Sequence, residues 1–255
     1  MKKKTRWPIY LIIGLIITFI AFTVPLPYYI EVPGTSEDIR KVLQVNNQPD
    51  QEEGSYQFVT VGVKHARLVD LVYAWLTPFT DIRSAKEMTG GSSDAEFMRI
   101  NQFYMETSQN MAKYQGLKTA GKEIELKYLG VYVLTVTDNS TFKGVLNIAD
   151  TVTAVNDKTF ESSKEMVDYV NSQTLGDQVK VTYEEDGKVK TAEGKIITLE
   201  NGKNGIGIGL IDRTEVSSDV PIKFSTAGIG GPSAGMMFSL SIYTQIADPT
   251  LRNGR

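Results

Sequence analysis

Ser233 stands in the run Gly230-Gly231-Pro232-Ser233-Ala234-Gly235, where a serine, a glycine turn and the start of an apolar helical pattern meet. Ile222, Phe224 and Thr226 alternate as a short strand before the turn, and Met236, Met237, Leu240 and Tyr243 recur at helical spacing after it. Such an elbow places a hydroxyl beside the unpaired N–H groups of a helix start, whose partial positive charge suits the oxyanion of a tetrahedral intermediate. Pro232 belongs just inside a helix start, where its missing N–H costs nothing. The chemistry this spacing can support is nucleophilic acyl transfer, with Gly230, Gly231 and Ala234 shaping the turn and its oxyanion donors. The same letters also describe a plain glycine turn capped by serine, and the residues alone do not separate the two.

Other chemistries are removed by what is missing. No cysteine occurs and there is one histidine, so a thiol nucleophile, a cysteine-ligated zinc and an HExxH site are excluded, and no metal or cofactor is expected. Gly230 to Gly235 has the glycine spacing of a phosphate loop, but Met236 and Met237 stand where that loop needs lysine and a hydroxyl. No nucleotide is expected. A net charge of −3 and a pI near 5.4 leave no broad basic surface for phosphate neutralisation, so nucleic acid is not an expected partner. His65 is an alternative base within the chain, although its place after a strand reads as a packing histidine.

The elements that must position Ser233 follow from patterning. Lys2, Lys3, Lys4 and Arg6 precede a charge-free run from Trp7 to Ile30, densest over Ile9 to Val24, and this reads as a transmembrane anchor with its basic end in the cytoplasm. A cleaved signal peptide competes, but no A-x-A site follows. Pro25, Pro27 and Pro33 mark an extended exit segment. Ser55 to Val63 alternates as a strand, and helical patterns cover Ala66 to Leu76 and Asp94 to Leu117. Their aromatic residues, Trp75, Phe97, Phe103 and Tyr104 among them, read most simply as core.

From Lys127 to Leu199 the chain turns β-rich. Val131 to Thr137 and Thr151 to Asn156 read as strands, and Ser162 with Glu165 forms a capping box that opens a helix through Asn171. Asp186-Gly187 suits a tight hairpin turn with positive φ angles. This order resembles a PDZ domain, with Tyr128-Leu129-Gly130-Val131-Tyr132 in the place of the carboxylate-binding loop and the helix Ser163 to Asn171 as the groove wall. The resemblance implies that Leu129, Gly130, Val131, Tyr132 and Val133 bind an extended peptide added to the edge of Val131 to Thr137. One departure is Ala149-Asp150 in place of the usual Gly-Asp turn, a poor choice for a positive φ.

The GGPSAG run is similar to the nucleophile motif of Lon-type serine proteases, in which serine pairs with lysine. Together with the basic start, the anchor, the PLPYYIEVPG exit and the PDZ-like module, it resembles the membrane-anchored Lon-like surface proteases of streptococci that trim a competence signalling peptide. The resemblance implies an α+β chain with a single N-terminal transmembrane helix, a mixed α/β segment, a PDZ-like domain and the start of a Lon-type peptidase domain. Expected bounds are a basic tail at 1–7, the anchor at 8–25, an exit linker at 26–54, a strand with helices at 55–122, the PDZ-like domain at 123–200 and the peptidase start at 201–255. It implies an ATP-independent endopeptidase acting outside the cytoplasmic membrane on a peptide or protein substrate, with Ser233 as nucleophile and the dyad lysine beyond Arg255. The 255 residues alone are then expected to show no turnover and to leave the helix after Ser233 poorly supported. A non-catalytic PDZ-type adaptor outside the cytoplasm, or a secreted peptide-binding protein, are the alternative readings.

Overall fold

The computed structural model describes residues 7–252. In chain order its elements are α1 (Trp7–Thr23), β1 (Pro25–Asp38), β2 (Leu43–Val45), β3 (Gln57–Arg67), α2 (Leu68–Leu76), β4 (Asp81–Ser84), α3 (Ala85–Thr89), α4 (Asp94–Thr119), β5 (Glu125–Val136), β6 (Thr151–Val155), α5 (Ser163–Asn171), β7 (Gln178–Glu185), β8 (Lys188–Lys195), β9 (Ile197–Thr198), β10 (Asn204–Gly205), β11 (Ile208–Ser217), β12 (Ile222–Phe224) and α6 (Gly235–Ile246). They form two compact units, one from residues up to Glu37 with Val59–Ser93, the other from Asp38–Phe58 with Asp94 onward.

The first unit corrects the membrane expectation. The apolar run forms a helix of 17 residues that stops at Thr23. Pro25 disfavours helical backbone at Val24, and the next fourteen residues are strand β1. At 1.5 Å per residue such a helix spans only about 25 Å, short of a hydrocarbon core of about 30 Å. Among the described residues no helix is long and apolar enough to cross a membrane. The single-pass anchor at 8–25, the membrane as partner and the cell-membrane location with an extracellular C-terminal part are therefore not supported. Lys2, Lys3, Lys4 and Arg6, which carried the orientation, lie outside the described residues.

Within the segment expected as an exit linker, β1 is the central strand of a three-stranded sheet ordered β3-β1-β4. Tyr29 and Ile30 are buried there, opposite Arg83 and Ile82 of β4. Arg83 bridges to Glu31 across the pair at 2.9 Å. Asp70 accepts from the Arg67 N–H at the start of α2 and binds Lys64 at 2.9 Å, while Ser84 and Glu87 cap α3 reciprocally. His65 lies on β3 and its ring stacks on Tyr29 with centroids 4.3 Å apart.

The second unit holds two cores. One is built from Val131, Val133, Phe142, Val152, Val155, Met166, Val170, Val179, Val181 and Ile196, between α5 and a five-stranded antiparallel sheet ordered β11-β5-β6-β7-β8. The positions of its elements agree with the periodicity: α5 begins at Ser163, with the Ser162 hydroxyl accepting from the Glu165 N–H at 3.2 Å. Asp186 and Gly187 take φ of 48° and 76° between β7 and β8, as the hairpin requires. Ala149 does adopt the positive φ that alanine disfavours, at 84°.

The other core joins Ile39, Leu43, Val45, Phe58, Met105, Leu117, Phe238 and Ile242. Here α6 packs on α4, and β12 pairs with β2 (Ile222 opposite Val45, Phe224 opposite Leu43). The helix after Ser233 is thus well supported, contrary to expectation. Its buried face is Phe238, Ser241, Ile242 and Thr244, whereas Met236 is 70% exposed.

Candidate functional site

Around Ser233 the chain is held by α4. After β12, the Ser225 N–H donates to the Val42 carbonyl at 2.8 Å and the Gln109 side-chain amide donates to the Thr226 hydroxyl at 2.7 Å. The Gly231 N–H donates to the Asn101 carbonyl at 2.8 Å, and the Ser108 hydroxyl donates to the Pro232 carbonyl at 3.0 Å. Ala234 is fully buried while Ser233 beside it is exposed. These bonds, most of them to α4, fix the turn and leave the serine exposed on it.

Helix α6 opens at Gly235, two residues later than the motif implied. Phe238 N–H, bonded to the Ala234 carbonyl, is the first to find a helical partner, so donors of the preceding turn stay near Ser233. Among the described residues no side chain hydrogen-bonds the Ser233 hydroxyl. His65 belongs to the first unit, stacked on Tyr29. Lys113 of α4 is half-buried with its ammonium 5.5 Å from the Phe224 ring, and burial pulls its pKa below the ordinary lysine value. Ser108 and Gln109 are single polar residues on a long helix with no local motif to mark them, and Asn101 acts through its main-chain carbonyl, which no residue type signals.

The second site is the groove of the five-stranded sheet. Gly130 takes φ 138°, and a Cβ there would sit 2.3 Å from the Val152 carbonyl oxygen, so only glycine allows β5 to approach β6 at this point. Val131 and Val133 point into the core and Tyr132 to the opposite face, where it stacks on Phe103 of α4. Leu129 is half-buried. On one side β5 pairs with β6, Val131 opposite Val152. The other edge, expected to be open to a peptide, is occupied by β11 along its length, from Ile208 opposite Val136 to Ser217 opposite Glu125.

The wall of that groove is α5, whose Met166 and Val170 are buried. The Ser163 N–H at its start donates to the Asp212 carboxylate of β11 at 3.1 Å. Nearby, the Tyr128 hydroxyl is buried with no hydrogen-bond partner, and burial, with the charges of Asp212 and Glu165, pushes its pKa up to about 12. On the other face an open cleft of about 290 Å³ is lined by Arg99, Phe103, Glu106, Tyr132 and Arg213. Arg213 is anchored within it, donating to the Thr151 hydroxyl at 2.7 Å and standing 4.0 Å from Glu184.

Comparison with known proteins bears on the second site. Residues 102–196 match the family model of the PDZ domain. No curated protein matches the chain. Among solved structures, the PDZ domain of an SdrC-like protein from Listeria monocytogenes is 36% identical, covering 34% of this chain and 93% of that one with a TM-score of 0.33. The PDZ domain of an SdrC-like protein from Listeria innocua is also 36% identical, over 32% and 92% of the two chains, with a TM-score of 0.31. A protein from Geobacillus thermodenitrificans, solved in solution, is 30% identical over 31% and 94%, with a TM-score of 0.29. The matched residues run from α4 through the whole β5 to β8 core, and the chain carries a PDZ domain, a module that binds peptides.

Proposed function

We propose that this chain is a peptide-directed serine hydrolase of the Lon-like kind, in which the PDZ domain holds a peptide and Ser233 attacks its carbonyl. The observation that supports this reading is the elbow itself: an exposed serine on a turn fixed by Asn101 and Ser108, directly before the N-terminus of α6. Helix-start N–H groups suit a developing oxyanion, and loss of one such donor typically costs about 3 kcal/mol of transition-state stabilisation. The base in this reading is a neutral lysine that takes the Ser233 proton and returns it to the leaving amine. Within the 255 residues the basic side chains after Ser233 are Arg252 and Arg255, so that lysine is placed by the resemblance alone. The resemblance also implies a short signalling peptide as substrate.

A second reading is a peptide-binding adaptor without catalysis. It is favoured by the PDZ match, which it satisfies at least as well. The two separate on one experiment. The protein, isolated from its source cells so that the whole gene product is present, is incubated with a library of unstructured peptides beside its Ser233→Ala form. Hydrolysis lost in Ser233→Ala with peptide binding unchanged is the expected result. Undiminished hydrolysis in the variant sinks the nucleophile, and peptide binding without hydrolysis in either protein leaves the adaptor.

A further inference from the structure

The strand that fills the PDZ groove has the form of a ligand. Ile208, Leu210 and Asp212 of β11 stand opposite Val136, Val133 and Val131 of β5, on the face that looks toward α5. Ile208 and Leu210 pack against the PDZ core, and Asp212 reaches the Ser163 N–H at the start of the groove-wall helix. Main-chain pairing along an exposed edge with alternate side chains entering pockets is how a sheet accepts an extended peptide. Here the chain's own residues do it.

We propose that β11 is an intramolecular occupant of the peptide groove, and that the ligand class of this PDZ domain is an extended segment with two alternate apolar residues followed, two positions on, by an acidic one. This rests on the peptide-binding reading above and adds the ligand's pattern. A peptide in solution binds β5 by displacing β11. A tethered strand acts at an effective concentration in the millimolar range, so free peptide competes poorly until β11 is loosened. Two further contacts brace β11 in place: the Asn110 amide donates to the Thr214 carbonyl at 2.9 Å, and Arg213 bonds Thr151. Neither belongs to the apolar-and-acidic pattern, so they hold the strand without defining the ligand.

The test uses the cysteine-free background. A Cβ built on Gly209 lies 3.6 Å from the Thr135 Cβ, within the range of disulfides, so Thr135→Cys with Gly209→Cys can lock β11 onto β5 reversibly. The probe is a labelled peptide of residues 206–217, measured by fluorescence anisotropy against the whole chain. Binding to the oxidised protein is expected to be at least roughly tenfold weaker than to the same protein reduced, and Ile208→Ser/Leu210→Ser in the chain should strengthen binding at least about tenfold over wild type. A probe peptide carrying Leu210→Ser and Asp212→Ser should lose that affinity. Equal binding to oxidised and reduced protein overturns the occupant while leaving peptide binding intact at another surface. No binding to any form, including a loosened variant shown folded by circular dichroism, overturns both the occupant and the peptide-binding reading.

Discussion

Phe103 of α4 lies flat on Tyr132 of β5, with ring centroids 3.6 Å apart and planes 9° from parallel. Both residues are 7% exposed. The same helix supplies Asn101 to Gly231 and Ser108 to Pro232, so α4 touches the PDZ sheet on one side and the Ser233 turn on the other.

Removing that stack should therefore weaken the whole second unit. Phe103→Ala is expected to cost about 3 kcal/mol, the ordinary loss for a large buried aromatic truncated to alanine. Urea denaturation followed by far-ultraviolet circular dichroism measures it. A loss under about 1 kcal/mol would mean that the stack is a surface contact that the fold does not need.

Ala149 is held at φ 84° by its N–H bond to the Val133 carbonyl at 3.0 Å and by the return bond from the Val133 N–H to the Asp150 carbonyl at 2.9 Å. A non-glycine residue in that region carries strain of about 1 kcal/mol or more. Ala149→Gly should relieve it and raise stability by up to about 1 kcal/mol, net of glycine's greater unfolded-state entropy. A lower denaturation midpoint in the variant would show that the packing of the alanine methyl outweighs the strain.

Asp150 is 3% exposed, and burial raises its carboxyl pKa above the ordinary aspartate value, partly opposed by the Asn147 N–H that donates to it at 2.8 Å. A carboxyl whose folded-state pKa is raised contributes stability below its unfolded value and loses it as pH climbs through the folded value. Asp150→Asn keeps an acceptor for the Asn147 N–H without the charge. Its stability gain over wild type should be larger at neutral pH than at pH values below the ordinary aspartate pKa. A difference that does not change between those pH values would show that Asp150 folds with no net proton uptake.

Gly116 of α4 faces Ile242 of α6 so closely that a Cβ would stand 2.9 Å from the Ile242 Cβ and from the Ser239 carbonyl. Gly116→Ala should force the helices apart at a cost of about 1 to 3 kcal/mol, the usual range for overpacking. Because α6 begins just after Ser233, peptidase turnover should fall with it in the proposed function. Unchanged stability would place the helices further apart than the structure has them.

Local patterns are legible in the amino-acid sequence by itself. The Ser162 and Glu165 capping box, the Asp186-Gly187 hairpin and the alternation of Val131 and Val133 depend on neighbours within a few residues; α5 and the β7–β8 turn lie where those signals put them, while β5 begins earlier than its signal, at Glu125. The residue type of Ala149 is enough to mark it as ill-suited to a positive φ. The elbow around Ser233 is likewise visible as a glycine turn between strand and helix, although its support by Asn101, Ser108 and Gln109 is not. Those bonds join residues more than a hundred positions apart, and periodicity carries no record of such partners. The same reason hides which stripe of α6 is buried: Met236 and Phe238 both fit an apolar helix, and only the position of α4 selects Phe238. Composition marks Trp7 to Thr23 as apolar, but the length of the helix is decided by where β1 begins to pair. Above all, a strand's edge is free or filled according to what the rest of the chain does. β5 reads as a peptide-binding edge from its own residues, and it takes β11, arriving from more than seventy residues downstream, to fill it.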